Sequence, residues 1–415
     1  MASTISREAD RSAGAPNRSA APGLLPHATG AVRPRIVHVM TRYLRGGSEK
    51  RVRDMVAACP DAEHHLIVGA ESDVSLARGE VAPAGIALLR SLVRRPDPWR
   101  DARALRRLGS IFRDGRFDLV ITHQAKAGAL GRAAARRLSI PAIHSLSMPS
   151  FGEGYPRWQD RLFRRIEVRL AADTFAFAVV GSDLARRYAA IGIPSELLRV
   201  IRSGVQLPRP DQTFAPSSEV RSAFGLPTDR PLILYLGSYE ARKNVLDLPR
   251  YRTLVQERLG GRPFLATAGD GPLAGPLRAR LARTPDDGVA LDYVPDPLPL
   301  IRAADLVVLL SSAEGVCQAL VQASALGTPF VAYAVDGVRE LIGLGARGTA
   351  VPLGDLEAAA TASAETLRAA RPATITLDLS DWSTSSIVDA HRRLISAALA
   401  SSAASSASDG VAIAS

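Results

Sequence analysis

The largest group of side chains and backbone amides that could bind a ligand follows a short apolar run at residues 306–310. Glu314 follows this run, and good helix formers begin near Gln318, with Gln322 one turn later on the same helix face. If the run is a buried strand, Glu314 lies at the carboxyl edge of a sheet, beside amides that point outward at the helix start. A carboxylate with free amides can hold the hydroxyls of a sugar, whereas the alternative is a solvated loop acid. The amides belong to Gly315, Val316 and Cys317.

Two cations, Arg242 and Lys243, follow another apolar run, residues 231–237, and Ser238 stands at the start of the same loop. At the carboxyl edge of a sheet, these cations would meet a bound diphosphate. They would then neutralise the negative charge that develops when the diphosphate departs as a leaving group. The alternative is that both side chains are exposed on a loop and bind nothing.

Two glycine loops also follow apolar runs. Gly46 and Gly47 stand between an expected strand and helix, where the backbone can approach a ligand closely and the helix start favours an anion. The alternative is a plain turn with Ser48 as the N-cap. Gly269 and Gly271 belong to Asp-Gly and Gly-Pro dipeptides, which favour a tight turn. We interpret this second loop as a turn with the ligand nearby.

His123 and His144 end two expected strands, and both would project near the same edge. They are further candidates for the site, although a lone histidine is more often structural, and the sequence supplies no neighbouring carboxylate to tune either one. The chain contains no Ser-His-Asp order, no Walker sequence and no H-E-x-x-H. Acyl transfer, nucleotide hydrolysis and zinc proteolysis therefore lose their usual support.

Strands and helices of ordinary length alternate in two series, which predicts an α/β protein with parallel sheets covered on both faces. The first series has strands near residues 35–40, 65–68, 119–122, 142–145 and 177–181, and helices near 101–113, 125–138, 157–172 and 184–191. The second has strands near residues 231–237, 264–268, 289–291, 306–310, 330–333 and 349–351. Two such halves form a cleft at the carboxyl ends of their strands, where a ligand binds.

Composition sets the expected domain boundaries. Residues 1–33 are rich in Ala, Ser, Pro and Gly and are expected to be a disordered tail. Residues 206–230 contain four prolines and suit a linker. The predicted order is an N-terminal domain over residues 34–205, this linker, a C-terminal domain over residues 231–382, a last helix over residues 383–400 and a second tail over residues 401–415.

Charge is uneven along the 415 residues. Residues 1–210 hold 34 Lys and Arg against 19 Asp and Glu, whereas residues 211–415 hold 18 against 22. A basic half can face nucleic acid, anionic lipid or a phosphorylated substrate, or can be an arginine-rich solvated surface. Two distant cysteines, Cys59 and Cys317, argue against a disulfide framework or a structural zinc site. Neither a signal-peptide core nor an 18-residue apolar run is present, so we expect a cytoplasmic location.

Taken in order, these motifs make the chain resemble the retaining glycosyltransferases of family 4, which have the GT-B fold. The resemblance covers about residues 34–400. It rests on G-G-x-E at residues 46–49, on T-H-x-x-K-A-G-x-L-G-R at 122–132, on V-I-x-x-G-V at 200–205, on G-D-G-P-L at 269–273, on the E-G loop with its following helix at 314–329, and on G-x-x-E-L-I at 337–342.

The resemblance implies a hexosyltransferase of the kind found in polysaccharide biosynthesis. It would move a sugar from a nucleotide-diphosphate donor to a glycan, lipid-linked or small-molecule acceptor, without a metal or other cofactor. Lys243 and Arg242 would face the diphosphate, Glu314 would orient the sugar, and Gln322 would contact the ribose. The remaining donor-binding candidates are Gly46, Gly47, Ser238, Gly269, Gly271, Gly315, Val316 and Cys317.

Three departures from the family pattern bear on the donor. Gln322 stands where the family has the second glutamate of E-x7-E, and its amide can still hydrogen-bond a diol. Ser238 stands where the family has an arginine, and Arg242 is the candidate to substitute for it. Residues 147–149 read Ser-Met-Pro where the family has His-Gly-Phe, so the histidine that reaches the donor sugar in relatives is missing.

Two other functions are compatible with parts of the sequence. A nucleotide-sugar 2-epimerase shares the two-domain layout. Its reaction requires more titratable residues around the donor sugar than the candidates His123, His144 and Glu314. A nucleic-acid-binding protein could use the basic half, but the basic segments lack interleaved aromatic residues and a recognition motif. We therefore expect no nucleic-acid partner.

The expected helix over residues 157–172 is amphipathic and basic. An apolar series recurs at every fourth position (Trp158, Leu162, Ile166 and Leu170), and Arg161, Arg165 and Arg169 flank it. A doubly wound domain would bury this apolar series against its sheet. We also hypothesise that the flanking arginines make peripheral, salt-sensitive contact with an anionic membrane, at the inner face of the cell membrane.

Overall fold

A computed structural model describes residues 33–44, 47–152, 155–315, 317–369 and 377–412. The described residues from Pro34 onward form one compact unit. The predicted tail over residues 1–33 lies outside the described residues, apart from Arg33. Within the described ranges, no helix is both long and apolar enough to cross a membrane.

The N-terminal domain is built on a seven-stranded parallel sheet with the order β3-β2-β1-β4-β5-β6-β7. Its strands are β1 (Arg35–Met40), β2 (Glu63–Gly69), β3 (Gly85–Leu89), β4 (Leu119–His123), β5 (Ala142–Leu146), β6 (Ala176–Val179) and β7 (Leu198–Val200). The helices between them are α1 (Gly47–Ala58), α2 (Val74–Val81), α3 (Pro98–Gly115), α4 (Ala125–Arg136), α5 (Arg157–Ala171) and α6 (Ser182–Ala190), and a 3-10 turn covers Ser195–Leu197.

The C-terminal domain has a six-stranded parallel sheet with the order β10-β9-β8-β11-β12-β13. Its strands are β8 (Leu232–Leu236), β9 (Phe264–Ala268), β10 (Gly288–Leu291), β11 (Leu306–Leu309), β12 (Phe330–Tyr333) and β13 (Gly348–Val351). The helices are α7 (Ser217–Ala223), α8 (Leu248–Leu259), α9 (Ala274–Leu281), α10 (Leu298–Ala303), α11 (Gln318–Ala325), α12 (Val338–Gly343), α13 (Leu356–Arg368) and α14 (Thr384–Ala412). Short 3-10 turns cover Ala241–Lys243, Val245–Asp247 and Ser380–Trp382.

The strand order reverses direction at one point in each sheet. In the N-terminal domain the reversal lies between the neighbours β1 and β4, and in the C-terminal domain between β8 and β11. At such a point the loops that follow the two strands part to opposite faces of the sheet and leave a crevice at its carboxyl edge. The predicted pair of Rossmann-like sheets is therefore present, and each has one natural ligand-binding position.

The predicted linker and the predicted last helix both differ from the observed structure. The predicted linker contains α7, and Arg221 in this helix donates to the carbonyl of Ala303 and to Asp305, so the second part of the linker packs on the C-terminal domain. The last helix, expected over residues 383–400, begins at Thr384 and continues to Ala412. Its alanine-rich sequence favours helix, which explains the extension.

Helix α5 differs from its predicted packing. The side that packs on the domain carries Phe163, Glu167 and Leu170, which are buried. Two members of the predicted buried series instead face solvent, since Trp158 is 59% exposed and Leu162 is 42% exposed. The apolar series is therefore divided between the core and the surface. Glu167 takes one of the core positions, where it pairs with the buried Arg132 at 2.6 Å.

A cluster of uncharged histidines lies inside the N-terminal domain. His38 Nδ1 is 3.2 Å from His123 Nε2, and His38 Nε2 is 3.1 Å from His64 Nδ1. His391 on α14 is buried, and neither ring nitrogen has a hydrogen-bond partner among the described residues. Burial, followed by repulsion from the buried Arg51, lowers the pKa of His123 to about 3. Burial also lowers the pKa values of His38 and His391 well below the usual range.

These histidines should make the protein less stable in acid. An unfolded histidine titrates near pH 6.5, whereas the buried ones bind protons only at lower pH. As the pH falls below about 6.5, the unfolded chain therefore binds more protons than the folded one, and the free energy of unfolding decreases. Each histidine contributes a slope of at most about 1.4 kcal/mol per pH unit.

The variant His391→Leu tests this pH dependence. It should leave stability at neutral pH unchanged or higher, because it removes two buried nitrogens that lack partners. It should also reduce the slope of unfolding free energy against pH by about one proton, or about 1.4 kcal/mol per pH unit. Denaturant unfolding at a series of pH values measures both quantities. A slope equal to that of the native chain would show that His391 does not stay neutral in the folded state.

Candidate functional site

An ion-paired cluster joins two loops at the carboxyl edge of the C-terminal sheet. Lys243, in the loop after β8, donates a charge-assisted hydrogen bond to Glu314 Oε1, in the loop after β11. Arg242 reaches the other oxygen of the same carboxylate at 3.4 Å. Glu314 is only 6% exposed. The two cations lie 72 and 71 residues before the carboxylate in sequence, and they meet it because β8 and β11 are neighbouring strands.

Backbone contacts hold the same two loops together. The amide of Ser312 donates to the carbonyl of Arg242 at 2.8 Å, and the Arg242 guanidinium donates to the carbonyl of Ala313 at 3.1 Å. Asn244 adds a third link by donating its side-chain amide to Leu310 O at 2.8 Å. These bonds fix the backbone on both sides of the ion pair, so the cluster is held in place before any ligand binds.

The charges of the cluster balance. Arg242 Nε also pairs with Glu240 Oε2 at 3.0 Å, so two cations face two carboxylates. Lys243 is mostly buried, with 11% of its side chain exposed, whereas Arg242 is 35% exposed. An anionic ligand can reach these cations by replacing Glu314 as their partner. That exchange would release the carboxylate to accept hydrogen bonds from hydroxyl groups.

The predicted glycine loop after β9 supports the loop that carries Lys243. Gly269 and Gly271 both have positive φ angles, of +153° and +152°. A Cβ on Gly269 would collide with the carbonyl of Gly237, and one on Gly271 would lie 2.8 Å from the backbone of Tyr239. The amide of Tyr239 also donates to Asp270 O at 2.8 Å. These glycines therefore allow two loop backbones to pack together behind the cations.

Ser238 lies in the supported loop, where its carbonyl accepts a hydrogen bond from the Tyr235 hydroxyl at 3.0 Å. Its side chain is half-buried. The position where the family has an arginine thus presents a short polar side chain beside the cluster. Arg242 is the neighbouring guanidinium, and it is already engaged with Glu314.

The start of α11 lies against the N-terminal domain. A Cβ on Gly315 would overlap the carbonyl oxygen of Ser147, in the loop after β5, so only glycine fits this approach. Cys317 is the N-cap residue, and no side chain caps the helix. Burial, and then the Glu314 charge, raise the pKa of the Cys317 thiol well above its usual value, so it stays neutral. Val316 lies outside the described residues.

Gln322 is buried on α11, one turn after Gln318, as the sequence predicts. Its side-chain amide donates to the carbonyl of Gln206 at 3.2 Å, which ties the helix to the segment between the two domains. A glutamate could not donate this bond. The glutamine at this position therefore has a structural partner that the sequence comparison with the family did not reveal.

On the N-terminal side, Gly47 begins α1 directly after the loop that follows β1, and Gly46 lies outside the described residues. Glu49 is buried and accepts the amide of Leu44 at 3.2 Å. Gln124, in a positive-φ position after β4, exchanges hydrogen bonds with the backbone of Arg42 at 2.9 and 3.1 Å. Gln124 thus links the loops after β1 and β4, a contact that the sequence did not indicate.

The two candidate histidines lie inside the N-terminal domain instead of projecting into the cleft. His123 is 1% exposed and belongs to the histidine cluster. His144 is fully buried, with Nδ1 2.9 Å from the Thr122 hydroxyl and Nε2 3.6 Å from Glu167. Glu167, which also pairs with Arg132, is the carboxylate neighbour that the sequence did not predict. Both histidines point inward because their strands are covered by helices on both faces.

Polar contacts connect the two domains beside the cleft. Glu340 Oε1 accepts hydrogen bonds from the Ser182 hydroxyl and from Arg202, each at 2.7 Å. Although burial opposes ionisation, the bonds from Arg202 and Ser182 hold the pKa of Glu340 below its usual value. Arg187 pairs with Asp336 at 3.0 Å. The sequence motif at residues 337–342 contains Glu340 but did not indicate this bridging role.

Family models match each of the two domains. A model described as a glycosyl transferase 4-like domain matches residues 46–204, and one described as glycosyl transferases group 1 matches residues 230–369. Both matched ranges include loops of the candidate site. The two domains and the ion-paired loop therefore carry the sequence features of glycosyltransferases.

Individual relatives agree with these matches. EpsF of Bacillus subtilis (strain 168), whose name assigns it provisionally to the glycosyltransferases, is 27% identical over 326 residues, which are 75% of this chain and 81% of that protein. The D-inositol 3-phosphate glycosyltransferase of Thermomonospora curvata is 28% identical over 260 residues, or 57% of this chain and 60% of that protein. This chain thus matches less than two thirds of the second relative's length.

A solved structure has the same fold. Alr3699/HepE from Anabaena, in complex with UDP, superimposes with a TM-score of 0.63 and 17% identity, and the match covers 91% of this chain and 100% of that one. Two Rossmann-like domains with this likeness define the GT-B fold. The chain belongs to the glycosyltransferases that have this fold, as both domain matches indicate.

Proposed function

We propose that the protein is a retaining glycosyltransferase that uses a nucleotide-diphosphate sugar and binds the diphosphate between the loops after β8 and β11. The observation that carries the proposal is the cluster of Lys243, Arg242 and Glu314, held at the crevice of the C-terminal sheet. Retention of the anomeric configuration is supported by the family resemblance of the sequence. The uncapped start of α11 adds backbone donors beside the same cations.

Donor binding would exchange the partners of the cluster. The diphosphate would take Lys243 and Arg242, and Glu314 would turn to the hydroxyls of the donor sugar. During transfer the bond from the sugar C1 to the phosphate oxygen breaks, and its electron pair stays on the diphosphate. The acceptor oxygen bonds to C1 on the same face, and its proton passes to the departing phosphate oxygen. The cations stabilise the charge that develops there, which lowers the barrier.

UDP-sugars are the first donors to examine, because the Anabaena structure holds UDP. The acceptor class stays open between a glycan, a lipid-linked sugar and a small molecule. We propose that no metal is required, since two cations and the helix amides can supply the charge compensation. Activity in the presence of a chelator would test this last point. Neither the epimerase nor the nucleic-acid alternative gains support from the family matches.

Removing the amine of Lys243 should slow transfer selectively. Lys243→Ala deletes a charge that acts mainly on the leaving group, so we expect turnover to fall by roughly a hundredfold. Release of nucleoside diphosphate from a panel of UDP-, GDP- and ADP-sugars measures this, with and without candidate acceptors. Arg250→Ala is the matched control, because Arg250 is an exposed cation on α8 away from the cluster. Thermal unfolding of both variants separates loss of turnover from loss of fold.

Normal turnover in Lys243→Ala would remove Lys243 from the site. If the native chain released no nucleotide from any donor in the panel, and no nucleoside diphosphate raised its melting temperature, the proposed donor class would be wrong.

We further propose that α5 makes peripheral contact with an anionic membrane. Its outward side combines three exposed apolar side chains, Trp158, Leu162 and Val168, with the exposed cations Arg161 and Arg165. An amphipathic surface of this composition can insert its apolar side chains among lipid headgroups while the arginines pair with phosphates. Such contact would bring the enzyme to a lipid-linked acceptor.

Liposome flotation with anionic and neutral vesicles tests the membrane contact. The double variant Trp158→Ser/Leu162→Ser should weaken binding to anionic vesicles by about tenfold, which corresponds to losing about 60 Å² of buried apolar surface. Leu344→Ser/Leu353→Ser is the matched control, since these leucines are 45% and 46% exposed in the other domain. Failure of the native chain to float with anionic vesicles at low salt would overturn the proposal and favour an acceptor free in solution.

A further inference from the structure

A basic groove of about 1050 Å³ lies at the outer edge of the N-terminal sheet, beside β3. The first turns of α3 form one wall, and the end of β3 with the residue after β2 forms the other. Arginines are the dominant side chains of its lining, which consists of Arg90, Arg100, Arg103, Arg106 and Arg107 together with Ala70, Leu88, Leu89, Ser91 and Ser110. None of the proposed roles of the donor site uses these residues.

Four of the five arginines of this groove have no acidic partner among the described residues. Arg100 lies 3.5 Å from Asp97, but the other four have no carboxylate within ion-pairing distance in the described part of the chain. All five are exposed. Arg103 lies three residues before Arg106 and four before Arg107 on α3, and like charges at these two spacings repel each other on one side of a helix. This arrangement costs stability unless an anion occupies the groove.

The groove lies at the carboxyl edge of the sheet, the same edge from which the loop after β1 leaves. Gly69 at the end of β2 has no room for a Cβ, because the carbonyls of Thr41 and Leu92 lie against it. Thr41 begins the loop that leads to Gly47, and Leu92 follows the arginine-bearing end of β3. Adjacent strands are about 4.8 Å apart, so β3 lies only about 10 Å from β1. A chain-like ligand could therefore extend from the cleft into the groove.

The wall formed by α3 is held in position. Lys126, at the start of α4, pairs with Asp101 at 2.6 Å and also donates to the carbonyl of Arg95. Lys126 is buried, and it belongs to the T-H-x-x-K-A-G stretch that resembles the family. These contacts fix the first turn of α3 against the neighbouring helix. The arginines on that helix are therefore presented from a rigid element, which favours specific binding.

We propose that this groove binds an acidic segment of the acceptor glycan, some sugar units away from the one that receives the transferred sugar. A guanidinium binds a carboxylate through two parallel hydrogen bonds, which favours arginine over lysine for this task. Successive turns of α3 present cations about 5.4 Å apart, so a polymer with repeated anionic groups engages several of them. The inference rests on the proposed glycosyl transfer, because it assigns the groove to the acceptor.

Other polyanions fit the groove less well. A membrane would meet a convex surface such as the outward side of α5, whereas these arginines line a concavity. Single-stranded nucleic acid is bound through stacking on aromatic side chains, and none of the lining residues is aromatic. An acidic glycan needs neither a convex surface nor an aromatic platform.

Equilibrium binding to the full chain tests the groove without any turnover. The probes are a hexamer of galacturonic acid, a neutral hexamer of glucose, a single-stranded oligonucleotide and anionic vesicles. The native chain should bind the acidic hexamer at low salt and should not bind the neutral one. The double variant Arg103→Ala/Arg107→Ala should weaken binding of the acidic hexamer at least tenfold. The control Arg250→Ala/Arg283→Ala removes two exposed arginines elsewhere and should change it less than twofold.

Three results would overturn the inference: no binding of the acidic hexamer by the native chain, equal weakening in the two double variants, or tighter groove-dependent binding of the oligonucleotide or vesicles than of the hexamer. Binding of UDP, measured in parallel, should be the same in the native chain and the groove variant. Because the hexamer assay contains no donor, failure of the groove and failure of the proposed donor chemistry give separate results.

Discussion

The ion pairs that Glu314 makes with Lys243 and Arg242 join the two loops on which the rest of the site depends. They form because β8 and β11, which are distant in sequence, are adjacent in a parallel sheet and release their loops at the same edge. A largely buried carboxylate requires such partners, since an unpaired charge in this position would be costly. The same pairing keeps two cations beside the crevice, where the proposed diphosphate would replace the carboxylate.

Glycines allow the surrounding backbone to come close enough for this arrangement. Gly269 lets the loop after β9 pack against the loop that carries the cations, and Gly315 lets the start of α11 meet Ser147 of the other domain. Contacts of Glu340 with Arg202 and Ser182 then hold the two domains together on one side of the cleft. The site is thus assembled from close backbone contacts and charge pairing.

The alternation of strands and helices was enough to predict the two parallel sheets, and the position of Glu314 after a buried strand was predicted from the sequence. Its pairing with Lys243 was not, because that contact depends on which strands are neighbours. His144 was expected near the cleft, but the sequence does not show that Glu167 of α5 enters the core to meet it. The groove was also missed, because its wall at β3 is a short edge strand with a weak pattern.

The periodicity of the helix also explains why the apolar residues of α5 are divided between the core and the surface. A stripe of apolar residues at every fourth position predicts one buried face, but a helix has 3.6 residues per turn, so such a stripe drifts around the axis. Leu170 therefore reaches the core, whereas Trp158 stays on the surface. Two groups of exposed cations in the first half of the chain lie on the outward side of α5 and in the groove beside α3.

The most direct measurement of the central claim compares sugar transfer with UDP binding in Glu314→Gln. This variant keeps the shape of the side chain and removes its charge, so Lys243 and Arg242 become more available to a diphosphate. If the carboxylate is exchanged for the diphosphate and then orients the donor sugar, UDP affinity should stay the same or increase, while turnover falls by roughly a hundredfold. Equal loss of UDP affinity and turnover would contradict this exchange and would assign Glu314 to holding the loops alone.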